Sequence, residues 1–465
     1  MTDAAVALPE PLIRRHDRPG PRYTSYPTAD RFADHFSPAH LAEALSERRR
    51  QAEAGEVPPL SLYVHIPFCE QLCYYCACNK VITKHHERAL PYLQSLSREI
   101  GMTAALIEPN AVVQQLHLGG GSPTFLSDDE LSRVMQMLLS HYVLADAAEV
   151  SIEVDPRTVT AERLAHLRAI GFNRLSFGVQ DFDPDVQQAV HRVQPYEQVQ
   201  ALMEDARRLG FASINVDLIY GLPKQTPASF ARTLAQVSTL RPDRIALYAY
   251  AHLPERFKPQ RRIHAIELPA AADRAQMLAS AITAFREQGY THIGMDHFAL
   301  ENDELAVAKR EGRLRRNFQG YSTQPDGDLI ALGVSAISHV GGCYAQNAKT
   351  VEQYDALLAD GRLPVVRGMA ATADDRVRRQ LIMWLMCQGH IDFDAAERAL
   401  GISLPGDFAP EFERLQVLQE QGLVELGPRS VGVTPLGWYF IRVVAMVFDA
   451  YLARGGSTAQ FSKVL

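Results

Sequence analysis

The feature that most constrains the fold of this 465-residue chain is a regular alternation of short apolar runs with helical stretches. The runs are rich in the β-branched and aromatic residues that favour strands. Six of them are Ser61 to Phe68, Gln114 to Gly120, Glu149 to Asp155, Arg174 to Val179, Ser213 to Gly221 and Arg244 to Tyr250. Because helical intervals such as 128–139 and 161–170 separate them, the pattern predicts a parallel sheet with right-handed crossovers. Six such units indicate an α/β fold built on an incomplete (β/α)6 barrel.

Residues that could bind ligands or take part in catalysis lie at or just after the ends of the predicted strands. Three cysteines come after the first strand and a glycine run after the second, while Glu153 lies at the end of the third and Gln180 follows the fourth. In parallel barrels the carboxyl ends of the strands meet at one rim, where active sites are assembled. The sequence therefore predicts one functional site at this rim.

The barrel pattern covers only part of the chain. We expect an N-terminal arm over residues 1–57, the barrel and its extension over 58–345, and a mostly helical domain over 346–465. The arm contains Pro19 to Asp30, a stretch too rich in proline and tyrosine for a regular element. The last domain combines helices with a hairpin over Leu423 to Gly437 and a final helix near Tyr439 to Leu452, which resembles a winged helix. Its helices lack a basic face, so we expect a packing or lid role.

Composition narrows the classes of function. A hydrophobic content of 47% and a charged content of 22% are ordinary for globular proteins. No apolar stretch of about 18 residues predicts a membrane span, the first residues lack the apolar core of a signal peptide, and a net charge of −7 gives no basic footprint for nucleic acid. We therefore expect a cytoplasmic protein that binds neither membranes nor nucleic acid. We also expect a monomer, although composition does not determine the oligomeric state.

Three cysteines with the spacing C-x3-C-x2-C form the most specific motif in the chain. Cys69, Cys73 and Cys76 suit an iron–sulfur cluster better than a tetrahedral zinc site, which usually takes four ligands. Structural zinc and a redox disulfide are the alternatives. A cluster with three protein ligands leaves one iron open to a small molecule. Cys343 and Cys387 stand alone, so the six cysteines do not form a secreted disulfide framework.

The glycine run at 119–121, followed by Ser122, comes directly after a predicted strand. Glycines there let the backbone approach a ligand and direct N–H groups at it, although they also serve tight turns. In the third strand Asp155 precedes a proline and suits a helix cap, which leaves Glu153 to face the rim and bind hydroxyl or amino groups.

An acidic residue lies in the middle of the fifth predicted strand. Asp217 would be costly to bury without a partner. Arg192 is one candidate for that partner, and it could equally hold a ligand carboxylate with its planar guanidinium. A core ion pair between the two is the alternative to a binding role.

Together these motifs resemble the radical S-adenosylmethionine enzymes, and within them the oxygen-independent coproporphyrinogen III oxidases. The resemblance runs from residue 21 nearly to the C-terminus. It is carried by PRYTSYPTA, YVHIPFC-x3-C-x2-C-x-CNK, GGGSPT, SIEVDPR, GVQDF, DLIYGLPKQT, YAHLP, GMDHFA, RNFQGY and GVSAIS. Ser122 and Tyr75 stand where the family more often has threonine and phenylalanine. The arm and the fourth cysteine, Cys78, are absent from related haem chaperones, which share the cluster but not the decarboxylation.

The resemblance implies a ligand for each motif. Cys69, Cys73 and Cys76 would hold a [4Fe-4S] cluster. A first S-adenosylmethionine would contact Tyr63, Gly120, Glu153 and Ile337, and a second would contact Tyr75, Gly121, Ser122, Gln180, Arg192, Asp217 and Ala251. We assign catalytic roles to Glu153 and to Cys78, which would lie beside the cluster without binding it; the alternative for Cys78 is a loop cysteine with no role.

The reaction implied by the resemblance is the oxidative decarboxylation of two propionates of coproporphyrinogen III to vinyl groups, which gives protoporphyrinogen IX in haem biosynthesis. A 5′-deoxyadenosyl radical would abstract the hydrogen, and an electron donor and an acceptor, both unidentified, would complete the cycle. Arg22, Tyr26 and Arg316 are candidates to cover the substrate. A haem chaperone without decarboxylase activity and a zinc-stabilised scaffold are the competing classes.

Overall fold

The computed structural model describes residues 9–318, 320–454 and 461–464. The first eight residues of the predicted arm, and residues 455–460 and 465 of the predicted C-terminal domain, lie outside the described residues. In the part of the chain that the structure describes, no helix is long and apolar enough to cross a membrane.

The core of the fold is one twelve-stranded sheet, and we number its strands in chain order. They are β1 Leu60–Ile66, β2 Ala111–Gly120, β3 Tyr142–Val154, β4 Arg174–Gln180, β5 Ser213–Tyr220, β6 Arg244–Ala249, β7 Tyr290–Gly294, β8 His297–Leu300, β9 Asp328–Leu332, β10 Ile337–Val340, β11 Cys343–Asn347 and β12 Val365–Ala370. Their order across the sheet is β12-β11-β10-β9-β1-β2-β3-β4-β5-β6-β8-β7. Strands β9 and β1 to β6 are parallel to their neighbours, and the flanking strands are antiparallel.

The prediction of an α/β fold with a partial parallel barrel and a helical C-terminal domain is confirmed. Each of the six predicted runs overlaps an observed strand. The sequence pattern did not predict the seventh parallel strand, β9, or the antiparallel strands that extend the sheet at both edges. Strand β11 spans the division predicted at 345/346, and the sheet continues to Ala370.

Helices cover the outer face of the sheet or build the C-terminal domain. They are Glu10–His16, Pro38–Glu53, Ala89–Ala104, Asp128–Leu139, Ala161–Ala169, Pro184–Ala189, Tyr196–Arg208, Pro227–Leu240, Ala271–Glu287, Glu304–Arg310, Val351–Ala359, Ala373–Gln388, Phe393–Leu400, Ala409–Glu420, Ile441–Ala445 and Ala450–Ala453. The start of the helix Asp128–Leu139 shows how the local sequence determines where a helix begins. Ser127 accepts the Glu130 N–H at 3.3 Å while the Glu130 carboxylate accepts the Ser127 N–H at 2.8 Å, which satisfies two otherwise unpaired donors.

Strand β1 shows how the sheet separates core from site. Leu62, Val64 and Ile66 are buried against the helices. Side chains alternate along a strand, so Ser61, Tyr63 and His65 lie on the opposite, inner face. The residues that chemistry needs therefore project into the inside of the open barrel.

A buried carboxyl group joins the barrel to its extension. Glu99, on helix Ala89–Ala104, is 3% exposed. It accepts the Gly333 N–H at 2.7 Å and the Asn347 side-chain amide at 2.6 Å, and Tyr354 also donates to it. Burial raises the pKa of Glu99 to about 7. One side chain thus ties the first crossover helix to β11 and to the turn after β9.

The N-terminal arm is part of the core. Tyr23 and Tyr26 are fully buried in an apolar cluster that they share with the C-terminal domain. Arg442, itself 4% exposed, donates to the carbonyl of Pro21 at 2.9 Å and to that of Lys463 at 2.8 Å. The expectation that the arm lies against another part of the protein is confirmed.

The C-terminal domain contains the predicted hairpin, as Val424–Gly427 paired with Ser430–Val433, and a third strand, His390–Asp392. The predicted final helix over 439–452 is wrong. The chain is extended at Asp449, and the Asp449 side chain accepts the N–H groups of Tyr451 and Leu452 and so caps a new short helix. The segment is therefore a series of short helical turns.

Candidate active site

One cavity of about 370 Å³ lies at the carboxyl ends of the parallel strands. The predicted residues that line it are Cys69, Cys73, Tyr75, Cys76, Cys78, Gly120, Gly121, Ser122, Glu153, Gln180, Arg192 and Asp217. Tyr63, Ala251 and Ile337 do not line it. The rim predicted from strand ends thus brings together most of the candidate site.

The cysteine loop is held at its base by backbone pairing. Phe68–Cys69 pairs in parallel with Val81–Ile82, where Val81 N donates to the Pro67 carbonyl at 2.7 Å and Thr83 N to the Cys69 carbonyl at 2.9 Å. The intervening residues form a closed loop that begins where β1 ends. This closure places the three motif cysteines over the end of the barrel.

The thiols fit a cluster better than a single ion. Cys69, Cys73 and Cys76 line one cavity, yet among the described residues no three His, Cys, Asp or Glu side chains converge closely enough to hold one metal ion. A tetrahedral zinc site requires such convergence. Three thiolates that share a cavity without meeting at a point suit a multinuclear cluster, in which each ligand binds a different iron.

Cys78 lies beside this set. The Lys80 ammonium donates to the carbonyls of Cys76 and Cys78 at 3.1 and 3.3 Å, which folds the end of the loop back on itself. Interaction with the neighbouring Cys78 thiol, together with the Lys80 ammonium, lowers the pKa of Cys76. The fourth cysteine is therefore close enough to influence the third.

The glycines at 119–121 let the backbone pass close to neighbouring groups of the protein, and they do not offer free N–H groups to an anion. Gly120 N donates to the Glu153 carboxylate at 3.1 Å, Gly121 N to the Ile66 carbonyl at 2.8 Å and Ser122 N to the Phe68 carbonyl at 2.9 Å. These N–H groups are paired within the protein, so the expectation that they point at a ligand is wrong. A Cβ at Gly120, where φ is 121°, would lie 2.7 Å from the His65 ring. Glycine is required there because the backbone crosses that ring.

Glu153 is held in place by groups that the sequence reasoning missed. Its other carboxylate oxygen lies 3.5 Å from His117 Nε2, and His117 Nδ1 lies 2.6 Å from Ser151 Oγ. Although burial opposes ionisation, the hydrogen bond and charge of His117, together with the Gly120 N–H, lower the pKa of Glu153. Tyr63 stacks on His117 with ring centroids 5.9 Å apart. Strand alternation, which puts residues 115, 117 and 119 on one face, could have identified His117.

Arg192 does not pair with Asp217. Its guanidinium lies 3.2 Å from Asp155 and donates to the Gly178 carbonyl at 2.6 Å. Asp155 also caps the turn that follows it, as predicted, by accepting the Arg157 N–H at 3.1 Å. The charge of Arg192 and the hydrogen bonds of Arg157 lower the pKa of Asp155 to about 2.

Asp217 is instead held by neutral groups. The Asn215 amide donates to it at 2.9 Å and the Ser176 hydroxyl at 3.2 Å. Burial, and secondarily the negative charge of Glu153, raise the pKa of Asp217 to about 7. Of these two carboxyl groups in the cavity, Glu153 stays ionised and Asp217 is partly protonated near neutral pH.

The remaining predicted residues lie near the cavity or beyond it. Ala251 is close to Tyr75, because the Gln260 amide donates to both of their carbonyls at 3.1 and 3.0 Å. Ile337 is on β10, opposite Gln346 of β11.

Comparison with known proteins places this geometry in a class. Residues 63–237 match the radical SAM superfamily, and residues 371–440 match the HemN C-terminal domain. The fold and the three-cysteine loop at the barrel end are thus those of a radical S-adenosylmethionine protein, a class that implies a [4Fe-4S] cluster and S-adenosylmethionine.

Whole-chain relatives narrow the class. The chain is 47% identical over 456 residues to the oxygen-independent coproporphyrinogen III oxidase of Pseudomonas aeruginosa and 46% identical over 454 residues to that of Escherichia coli K12, with 98% of each chain covered in both. The solved structure of coproporphyrinogen III oxidase (HemN) from Escherichia coli, described as a radical SAM enzyme, superposes with a TM-score of 0.90 at 45% identity, over 96% of this chain and 100% of that one. The chain belongs to the oxygen-independent coproporphyrinogen III oxidase family.

Proposed function

We propose that this chain oxidatively decarboxylates two propionate side chains of coproporphyrinogen III to vinyl groups and so produces protoporphyrinogen IX without oxygen. The observation that carries the proposal is the single cavity in which the three-cysteine loop faces Glu153, Arg192 and Asp217. Full-length relatives named for this activity support it.

The residues present fit the cofactors of the class. Cys69, Cys73 and Cys76 would hold the cluster, which together with S-adenosylmethionine supplies the radical chemistry that an unactivated C–H bond needs. The protein's own contribution is positioning. Glu153, kept ionised by His117 and Gly120, can bind amino or hydroxyl groups of S-adenosylmethionine.

Two molecules of S-adenosylmethionine are part of the proposal. Candidate residues of both sets line the cavity: Gly120 and Glu153 for the first molecule, and Gly121, Ser122, Arg192 and Asp217 among those for the second. Equilibrium dialysis of labelled S-adenosylmethionine against the anaerobic protein should give two per chain, and close to one for Asp217→Ala. One per chain in the unmodified protein would contradict this part of the proposal.

Anaerobic turnover tests the proposed activity. Reconstituted protein, dithionite, S-adenosylmethionine, coproporphyrinogen III and an added one-electron acceptor should yield protoporphyrinogen IX, measured as the oxidised porphyrin by chromatography, and Cys76→Ser should yield none. Carbon dioxide leaves each propionate after hydrogen abstraction, and the remaining electron passes to an acceptor that this assay must also supply. Cleavage of S-adenosylmethionine with no porphyrin product would favour a haem chaperone, and a protein that takes up zinc but no iron would favour a scaffold. The expected monomeric state and cytoplasmic location belong to the same proposal.

A further inference from the structure

A second, much smaller cavity on the inner face of the sheet contains a buried cation that forms no ion pair with any residue the structure describes. The cavity has a volume of about 20 Å³, and Arg315, Arg316 and Arg379 are among its lining residues. Arg316 is 4% exposed, and its Nε and Nη1 atoms have no hydrogen-bond partner among the described residues. We propose that Arg316 binds a carboxylate of the substrate, an inference that rests on the proposed function.

Comparison with the other buried arginines shows how unusual this is. Within the part of the chain that the structure describes, Arg48, Arg174 and Arg192 each lie within 3.5 Å of a carboxylate. Arg442 donates to several backbone carbonyls instead. Arg316 has neither kind of partner. Burying an uncompensated charge costs several kcal/mol, so an anion that enters the cavity would relieve a cost that the protein alone leaves in place.

The cavity's other charges leave a net positive site. Arg379 forms two hydrogen bonds, of 2.7 and 2.8 Å, with Asp326. Asp328 accepts from Arg48 at 2.7 Å. These two carboxylates are thus satisfied. Among the described residues, the Arg315 side chain donates a hydrogen bond to the Leu314 carbonyl, and its charge contributes to lowering the pKa of Asp326.

The ring of Tyr321 stacks against the Arg316 guanidinium and restricts its orientation. Its carbon lies 4.6 Å from the centroid of the Tyr321 ring, and Tyr321 is itself anchored by donating to the Met386 carbonyl at 3.0 Å. A stacked planar guanidinium keeps its donors in a fixed fork that matches the two oxygens of a carboxylate.

The position of this cavity relates it to the candidate active site. Ser61, which lines it, is two residues before Tyr63 on the same face of β1, a separation of about 7 Å. On the other side, Tyr321 packs edge-on against His297 with centroids 5.4 Å apart, and His297 packs against Tyr248, which lines the large cavity. Packed rings thus lie between the two cavities, and the proposal requires that one propionate of the macrocycle reaches Arg316 past them while another reacts near the cysteine loop. Because Arg316 does not line the cavity of the cysteine loop, the carboxylate it binds is one that is not being decarboxylated.

The test compares Arg316→Gln with Arg313→Gln. Arg313 is an exposed arginine three residues earlier, paired with Glu311 and absent from the cavity lining, so it serves as a matched control. Anaerobic fluorescence titration with coproporphyrin III, the oxidised and unreactive form of the substrate, should show at least about tenfold weaker binding for Arg316→Gln, the effect of losing a charge-assisted hydrogen bond. Arg313→Gln should bind like the unmodified protein. Equal binding by Arg316→Gln and Arg313→Gln would overturn the inference.

Two further measurements keep the test decisive. Arg316→Lys retains the charge but not the planar pair of donors, so it should bind coproporphyrin III with intermediate affinity. If the glutamine variant does not fold, unchanged binding by the lysine variant refutes the proposal.

Sodium propionate should compete with coproporphyrin III for the unmodified protein. Arg316-dependent binding of propionate without such competition would mean a site for small free carboxylates. Iron content and substrate-free cleavage of S-adenosylmethionine should be unchanged in Arg313→Gln. Failure of the unmodified protein to turn over coproporphyrinogen III bears on the proposed function, whereas these titrations bear on Arg316 alone.

Discussion

Replacement of His117 by phenylalanine tests whether the strand residue behind Glu153 prepares it to bind S-adenosylmethionine. The phenyl ring can keep the stacking on Tyr63 but removes both the contact with Glu153 and the hydrogen bond with Ser151. A hydrogen bond to a charged group contributes about 1.5 to 3 kcal/mol. The Glu153 side chain is 43% exposed, so solvent screens the interaction and we expect about 1 to 2 kcal/mol. That range corresponds to about fivefold to thirtyfold weaker binding of S-adenosylmethionine.

The same variant should change the pH dependence of binding. His117 lowers the pKa of Glu153, and the carboxylate is the form expected to bind. Without His117 the pKa of Glu153 rises, so the carboxylate becomes protonated at a higher pH. As the pH falls, the variant should therefore lose binding at a higher pH than the unmodified protein does. As the pH rises, its binding should recover in part. If His117 contributed only packing, its replacement would leave the pH dependence of S-adenosylmethionine binding unchanged.

Calorimetric titration of S-adenosylmethionine into the anaerobic, cluster-containing protein measures both effects. Glu153→Gln and the double variant complete a mutant cycle in which the loss of His117 should cost little once the carboxylate is gone. An affinity within about twofold of the unmodified protein at every pH, or full additivity in the cycle, would refute the assignment of His117 as a positioning residue.

Three further predictions follow from other parts of the structure. Cys78→Ser should keep iron and its visible absorption but lose decarboxylation, whereas Cys76→Ser should lose both iron and absorption; loss of iron in Cys78→Ser would contradict the three-ligand assignment. Tyr26→Ala should lower the free energy of unfolding by about 3 to 5 kcal/mol because the ring is fully buried, and unchanged denaturant unfolding would show that the arm does not contribute to the core. The pKa of Glu99 is raised to about 7, so the folded state holds its proton more tightly than the unfolded chain does, and the stability this provides should fall by a few kcal/mol as the pH rises from about 4.5 to 7. Glu99→Gln should remove that dependence, and an unchanged slope of stability against pH would contradict the raised pKa.

The sequence predicted the parallel half of the sheet well because the signal there is local. A strand buried on one side by helices needs a run of apolar residues, and the runs containing Leu62 or Val216 are recognisable without knowing their neighbours. The rim site followed from the same reasoning, because chemically active residues such as Cys69 and Glu153 come where those runs end. The antiparallel strands at the edges are short, and the run 337–340 has too few residues for its period to be read.

Pairings between distant residues could not be predicted in this way. Nothing local indicates that Arg192 pairs with Asp155, 37 positions earlier, and not with Asp217. Asp155 follows β3 and Asp217 lies on β5, with β4 between them, and the choice depends on a guanidinium position that the Gly178 carbonyl fixes. The paired N–H groups of the glycine segment are a similar case, since their acceptors come from β1 and β3.

The arm shows most clearly how long-range burial changes the interpretation of a segment. Its proline and tyrosine content suggested an irregular cover, and a cover could be removed without unfolding the barrel. Arg22 instead forms an ion pair with Asp296, and its guanidinium carbon lies 5.3 Å from the centroid of the Tyr248 ring, which lines the large cavity. Removing the arm would expose a buried face of the C-terminal domain and unpair Asp296 at the same time. Loss of activity in a truncated chain would therefore not distinguish a substrate contact from a folding defect, and the role of the arm has to be tested one side chain at a time.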